Sequence, residues 1–210
     1  MAHPSEPRFL VLHGLRLKGF AEAAPVADGA GLDPGAVEDH LRSLAGEGLV
    51  SRRDGRVSGW ALTADGRAEH RRLVSDELDA SGAKAVVDDA YRRFRALNPE
   101  LLAVCTAWQL RPEGGAQVVN DHSDPGYDRQ VVERLAAVDE GLRPVTDDLS
   151  GQLERYGRYA PRLRAALDRV RAGHAEWFTK PIIDSYHTVW FELHEDLLCT
   201  LGLERSAEGG

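Results

Sequence analysis

Residues 31–70 read GLDPGAVEDHLRSLAGEGLVSRRDGRVSGWALTADGRAEH, and their punctuation decides the fold. Asp33 followed by Pro34 is a helix-start pair: the carboxylate accepts from free N–H groups, and proline has no N–H to lose there. Val37, Leu41 and Leu44 then fall at i, i+4 and i+7, which predicts one buried helical stripe. Gly46 and Gly48 end that helix. Residues 49–53 and 57–62 read as two strands about Asp54-Gly55, a two-residue hairpin signal. Thr63 caps a long helix over residues 64–78.

Working outward, residues 9–18 place Phe9, Leu12 and Leu15, with Leu10, Val11 and Leu17, on a mostly buried first helix. Pro25 opens a short second helix, and Gly29 and Gly31 make the turn after it. The order is helix, helix, helix, hairpin, helix, which is that of a winged helix-turn-helix. The segment resembles bacterial winged-helix regulators of the broad MarR and PadR kind. Leu41, Leu44, Gly48, Leu49, Val50, the Arg-tipped hairpin, Leu62-Thr63 and Gly66-Arg67 carry that resemblance. It spans residues 9–78, one third of the chain, and is more specific for fold than for function.

The resemblance implies that the third helix enters the major groove of double-stranded DNA and the hairpin contacts its backbone or minor groove. Gly35, Glu38, Asp39, His40, Arg42 and Ser43 would then face the DNA, with Arg52, Arg53 and Arg56 on the wing. Three arginines around one tight turn suit phosphate or narrow-groove contact. Charge argues the other way. Glu38 and Asp39 repel phosphates, and residues 1–78 hold 10 Lys+Arg against 12 Asp+Glu. The competing reading makes the arginines a solvated hairpin tip and the domain a protein-contact module.

The whole chain of 210 residues carries 26 Lys+Arg, 34 Asp+Glu and a net charge of −8, so nucleic acid would need a local patch. At 42% hydrophobic and 29% charged residues the composition is that of a globular protein. The longest run without a charge, residues 101–110, is too short for a transmembrane helix. MAHPSEPR lacks the basic-then-apolar order of a signal peptide. Cys105 and Cys199 sit singly in apolar stretches and read as buried thiols of a reducing, cytoplasmic compartment. Glycines thin out after residue 80, which sets expected domains at 1–80 and 81–210, the SAEGG end reading as a frayed tail.

The second half reads as an all-α domain of five or six helices that dimerises, senses a ligand, or both. One helix covers residues 81–97, and Asn98-Pro99 caps a second, almost wholly apolar one. Pro112 stops it, and Gly114-Gly115 lie in a loop. Asp124-Pro125 opens a long helical stretch, kinked or broken near Pro144. Tyr159-Ala160-Pro161 starts another, and Asp184 caps the last, with Gly202 as its stop.

In that last helix Tyr186, Trp190, Leu193 and Leu197 form one stripe, and His187, Phe191, His194, Leu198 and Leu201 the next. Glu192, Glu195 and Asp196 share the remaining face. Seven residues separate His187 from His194, roughly 10 Å along the axis, too far for one zinc ion without bending. No metal site or cofactor is expected. Trp108, His122, Tyr127, Trp177, His187, Trp190 and His194 supply aromatic walls and polar tips for a small-molecule effector pocket. The polar loop at residues 120–128 equally reads as helix-start chemistry.

A second resemblance covers the chain at large. LRLKGFA, Val57-Ser58-Gly59-Trp60, ALNPELLAVCTAWQLR, NDHSDPGYD and DSYHTVWFELHEDLL are similar to segments accompanying actinobacterial PEP-utilising enzymes of the pyruvate phosphate dikinase kind. That likeness implies a non-catalytic regulatory module whose partner is such an enzyme. No catalytic signature stands out: Gly14 and Gly19 have phosphate-loop spacing, but Phe20-Ala21 replaces the Lys-Ser/Thr. HExxH, CxxC and the nucleophile elbow are absent from the sequence. The expectation is therefore a homodimeric DNA-binding regulator, with the enzyme-partner module as the alternative.

Overall fold

The computed structural model describes residues 1–203, and the SAEGG segment lies outside them. The chain is mainly helical, with two small hairpins among the described residues. It forms two compact units: Met1–Asp88 with Leu149–Arg158 and His194–Gly210, and Asp89–Asp148 with Tyr159–Leu193. Residue 80 lies inside a helix, and the first unit runs on to Asp88 and takes in two later segments.

In the first unit, α1 (Pro7–Lys18) buries Phe9, Val11, Leu12, His13 and Leu15. Helix α2 (Ala23–Ala30) closes at Gly31, whose φ of 61° is a left-handed conformation that glycine takes without Cβ strain. In α3 (Pro34–Gly46) the Asp33 carboxylate accepts from the Ala36 N–H at 3.0 Å, as the sequence predicts. Its stripe Val37, Leu41 and Leu44 is fully buried against Val11, Leu12, Leu15, Val26, Val50, Trp60 and Leu62. Thr63 caps α4 (Ala64–Ser81), accepting from the Gly66 N–H at 3.0 Å. A side chain at Gly66 could not fit, since its Cβ would lie 1.9 Å from the Leu49 carbonyl oxygen.

The hairpin departs from expectation. Strands β1 (Val50–Arg53) and β2 (Gly59–Leu62) pair Val50 with Leu62 and Arg53 with Gly59, leaving residues 54–58 as the loop rather than Asp54-Gly55 alone. A two-residue turn would set Val50 opposite Gly59 and turn Trp60 and Leu62 to solvent. An odd shift in register exchanges the faces, so core burial overrides the local turn signal. Ala21 adds a short third segment beside β2, exchanging backbone hydrogen bonds with Trp60 at 3.1 and 2.8 Å.

Four further expectations are corrected in the second half. Helix α5 (Lys84–Gln109) runs unbroken through Pro99, because Ala90, Tyr91, Phe94, Leu101, Val104, Cys105 and Trp108 make one continuous buried stripe. Asn98 does not cap a new helix; its side-chain oxygen accepts from Trp190 Nε1 at 3.0 Å. The half is not all-α either. Strands β3 (Leu110–Glu113) and β4 (Ala116–Val119) pair about Gly114-Gly115, whose φ angles of 57° and 83° make a two-residue turn that favours glycine.

Helix α6 (Pro125–Gln152) also continues through its proline, Pro144, so of the expected kink or break the break is ruled out, and Val131, Leu135, Val138, Leu142 and Val145 are buried along it. Asp124 Oδ1 caps it, accepting from the N–H groups of Gly126 and Tyr127. A 3₁₀ turn (Glu154–Arg158), α7 (Tyr159–Arg171), α8 (Glu176–Thr179) and α9 (Tyr186–Leu201) complete the described chain. Ser185, not Asp184, caps α9, its hydroxyl accepting from the Thr188 N–H. Asp184 is instead clasped by Arg162 at 2.8 and 2.9 Å.

Candidate functional site

The sequence nominates two surfaces, one in each unit, with His194 alone of the pocket residues falling in the other unit. On the first, buried Val37, Leu41 and Leu44 aim the opposite side of α3 outward. Gly35, Asp39, Arg42 and Ser43 are exposed there, with Glu38 and His40 half-buried. Arg42 is not an open cation: it reaches Asp39 at 2.9 Å and Glu38 at 3.6 Å on its own helix. The Ser43 hydroxyl donates to Glu47, which Arg8 grips with both of its terminal nitrogens. On the hairpin, Arg52 bonds Asp54 at 2.9 Å and Glu22 at 3.3 Å, and its guanidinium stands 5.4 Å from the Trp60 ring centre. Arg53 and Arg56 are exposed and make no ion pair with any described residue. Of the four arginines nominated, two hold charge that is locally unmatched.

The second surface is a cleft of about 590 Å³ in the second unit, lined by Trp108, His122, Pro125, Asp128, Val170 and Arg171 among others. Trp108 forms its aromatic wall, packed on Phe178 at 4.4 Å and on the His122 ring at 4.5 Å. Buried Asn120 organises the polar side. Its amide donates to the Trp108 carbonyl at 3.1 Å and to Asp128 at 2.9 Å, while its oxygen accepts from the His122 N–H. His122 adopts a φ of 58°, unusual for a residue with a Cβ, and its Nδ1 lies 3.0 Å from Asp128. The cleft thus joins an indole face to a carboxylate–imidazole pair, a lining able to orient a small aromatic or amphipathic molecule.

Only part of the nominated pocket assembles. Trp108 and His122 line the cleft. Tyr127 stands beside it, its hydroxyl engaged by the carbonyls of Ala107 and Leu110. Trp177 packs under Arg169, 3.9 Å from the guanidinium carbon to the ring centre. Trp190 stacks on Phe94 at 4.6 Å, and His187 is half-buried on α9, where burial lowers its pKa. His194 belongs to the first unit altogether. The helical spacing that grouped these aromatics reflects core packing. Asp128 and Arg171, which do line the cleft, carry only the polar-loop and helix-end signals seen in the sequence.

Sequence reasoning missed one polar assembly entirely. In the first unit the buried Arg155 donates to Glu77 at 2.8 Å, to Thr200 at 2.8 Å and to Asp196. Asp196, on the face of α9 read as polar, is almost fully buried, and its Oδ1 lies 3.2 Å from His13 Nε2. His13 Nδ1 lies 2.9 Å from His70 Nε2. With Asp196 ionised and accepting from His13 Nε2–H, His13 Nδ1 accepts from His70, which leaves His70 Nδ1 an acceptor. Burial pushes the His70 pKa down to about 3, so the ring is neutral at pH 7. Burial opposes ionisation of Asp196, but the Arg155 charge and the hydrogen bonds from Arg155 and His13 hold its carboxyl far below the usual carboxylate range. The geometry of the cluster ties three separate chain segments together.

No family model, curated protein or solved structure matches the chain. No described helix is long and apolar enough to cross a membrane.

Proposed function

We propose that the chain is a winged helix-turn-helix transcriptional regulator of the MarR and PadR kind, cytoplasmic and non-catalytic, that binds double-stranded DNA as a homodimer. The observation that carries this reading is the element order α1–α2–α3–β1–β2–α4, with Asp33-capped α3 outward and a five-residue hairpin loop bearing unpaired Arg56 beside Arg53. The Ala21 segment beside β2 supports it as well, completing a small sheet at the base of the wing. The second unit supplies the effector cleft at Trp108, His122 and Asp128. A ligand there would act by changing the relative populations of DNA-competent and incompetent forms.

The test is fluorescence anisotropy of the protein on its own upstream DNA and on a scrambled duplex, across a salt series. Arg53→Ala with Arg56→Ala should weaken both complexes and flatten the log–log salt slope by about 2, one released counterion per lost phosphate contact. Arg42→Ala should change affinity less, because Asp39 and Glu38 already match its charge. An unchanged slope in the double variant would overturn the wing assignment.

A second reading rests on the acidity of the α3 face, where Glu38, Asp39 and Glu47 surround Arg42 and Ser43. It makes the same surface a protein contact in a regulatory module of a pyruvate phosphate dikinase-like, PEP-utilising enzyme. Absence of DNA affinity at low salt, with co-purification of such an enzyme, would select it.

A further inference from the structure

The first unit holds another cleft besides its α3 and hairpin surface. It is about 340 Å³ in volume, walled by Leu15, Leu62, Cys199 and Leu203 and edged by Arg16, Arg67, His70 and Arg71. We propose that this cleft binds a small multivalent anion, a phosphate monoester or a dicarboxylate, through Arg16, Arg67 and Arg71.

Three arginines line it in a chain whose net charge is −8. Arg67 and Arg71 stand one turn apart on α4, so both point along the same helix face. Two of the three are held in place. Arg16 bonds Glu195 at 2.7 Å, and Arg67 Nη1 donates to the Leu62 carbonyl at 3.0 Å. A guanidinium fixed by one edge presents its remaining N–H groups without the entropy cost of ordering a free side chain. Arg71 is exposed and has no partner among the described residues.

The neighbouring Arg72 shows the contrast: it is saturated by Glu69 at 2.7 Å and Asp76 at 2.5 Å. Carboxylates therefore quench Arg72, which does not line the cleft, while among the described residues only Glu195 pairs with any of the three arginines that do. The nearby Asp196 cannot supply more neutralisation, since Arg155 and His13 already engage it. A singly charged ion would leave repulsion between the guanidinium groups uncompensated. A dianion of phosphate or dicarboxylate size matches the fork geometry of two arginines at once. The volume lies at the lower end for small-molecule pockets, which sets the scale at a simple metabolite.

The experiment is a titration of the whole protein with inorganic phosphate and with succinate at constant ionic strength, chloride serving as the reference, followed by the thermal midpoint. The expected result is a saturable rise with at least one dianion. Arg71→Ala should weaken its apparent dissociation constant tenfold or more, and Arg72→Ala should leave it unchanged. Saturation by phosphate alone assigns a phosphoryl ligand, and by succinate alone a dicarboxylate. No saturable rise with either, or a rise that Arg71→Ala leaves intact, overturns the site. DNA takes no part in the assay, so its outcome is separate from that of the wing arginines.

Discussion

Arg155 and Trp190 do comparable work in the two units by opposite chemistry. In the first unit the guanidinium of Arg155, from the Leu149–Arg158 segment, binds Glu77 of α4 and Asp196 and Thr200 of α9. In the second, the Trp190 and Tyr186 rings pack in line with Phe94 of α5, and the Trp190 N–H reaches Asn98. One unit joins its non-contiguous segments with buried charge, the other with aromatic faces and single hydrogen bonds. Buried charge is intolerant of partial loss. Removing one partner strands the others in low dielectric, whereas trimming a ring forfeits contacts in proportion to area.

The largest effect follows from that asymmetry. Arg155→Met leaves Glu77 and Asp196 buried without a cation and should cost about 3–5 kcal/mol in urea denaturation. Adding Glu77→Leu and Asp196→Leu should recover most of the loss, because apolar replacement of a whole buried cluster is often neutral. If the triple variant is no more stable than Arg155→Met, the cluster is not the electrostatic unit described. Thr200 and Tyr156, which share a hydrogen bond at 2.9 Å beneath the guanidinium, would then be the elements that matter.

The next effect separates the units by acid. His70 stays neutral when folded, with its pKa lowered to about 3 by burial, whereas the unfolded ring titrates near the ordinary value. The unfolded state therefore binds the extra proton, and stability is lost as pH falls below about 6.5. Asp196 acts in the same direction at lower pH, since its depressed pKa contributes stability that is lost only in strong acid. Of the groups around His70, His13, Arg16 and Arg155 act in the same direction as burial, and only Asp196 opposes it. In the second unit Asp139 has the opposite sign: burial raises its pKa, so protonation favours the folded form. His187 there shares the direction of His70. Between pH 6.5 and 5 the His70 contribution is about 2 kcal/mol. Amide hydrogen exchange should show protection in α1 and α4 falling over that range in the native protein and falling less in His70→Gln. An equal fall in both would locate the acid sensitivity elsewhere.

The same contrast explains what was legible in the sequence. Apart from the hairpin register, residues 31–81 announce themselves because their signals are local: Asp33-Pro34 and Thr63 cap within three residues, and the α3 stripe needs no distant partner. The second unit hides its boundaries because distant side chains cancel local ones. Asn98-Pro99 reads as a helix start until Trp190, 92 positions later, takes the Asn98 side chain. The paired glycines at 114–115 did carry a hairpin signal, but Pro112 outweighed it; a two-stranded ribbon tolerates proline where a central strand does not. Asp196 reads as part of a solvated face because Arg155, its partner, lies 41 residues away. Burial of charge is set by such long-range pairs, and periodicity alone does not contain them. The candidate pocket fared no better than its spacing allowed: Trp108 and His122 meet through Asn120, while Trp190 and His187 serve the core and flank of α9.

The smallest expected effect tests a buried polar atom on the hairpin of the first unit that has no partner among the described residues. Trp60 is buried on β2, its backbone bonded to Ala21, yet its indole Nε1 has no hydrogen-bond partner among the described residues. An unpaired buried donor costs roughly 1–3 kcal/mol relative to a paired one. Trp60→Phe removes that donor and also some apolar area, and it retains an aromatic face for the Arg52 guanidinium. The two changes oppose each other, so stability should shift by less than about 1 kcal/mol. The same substitution at Trp190, whose N–H is satisfied by Asn98, removes area and a hydrogen bond together and supplies the reference. If Trp60→Phe proves as costly as Trp190→Phe, the Trp60 N–H is paired in solution, by water at the base of the hairpin, which is then held there by more than apolar packing.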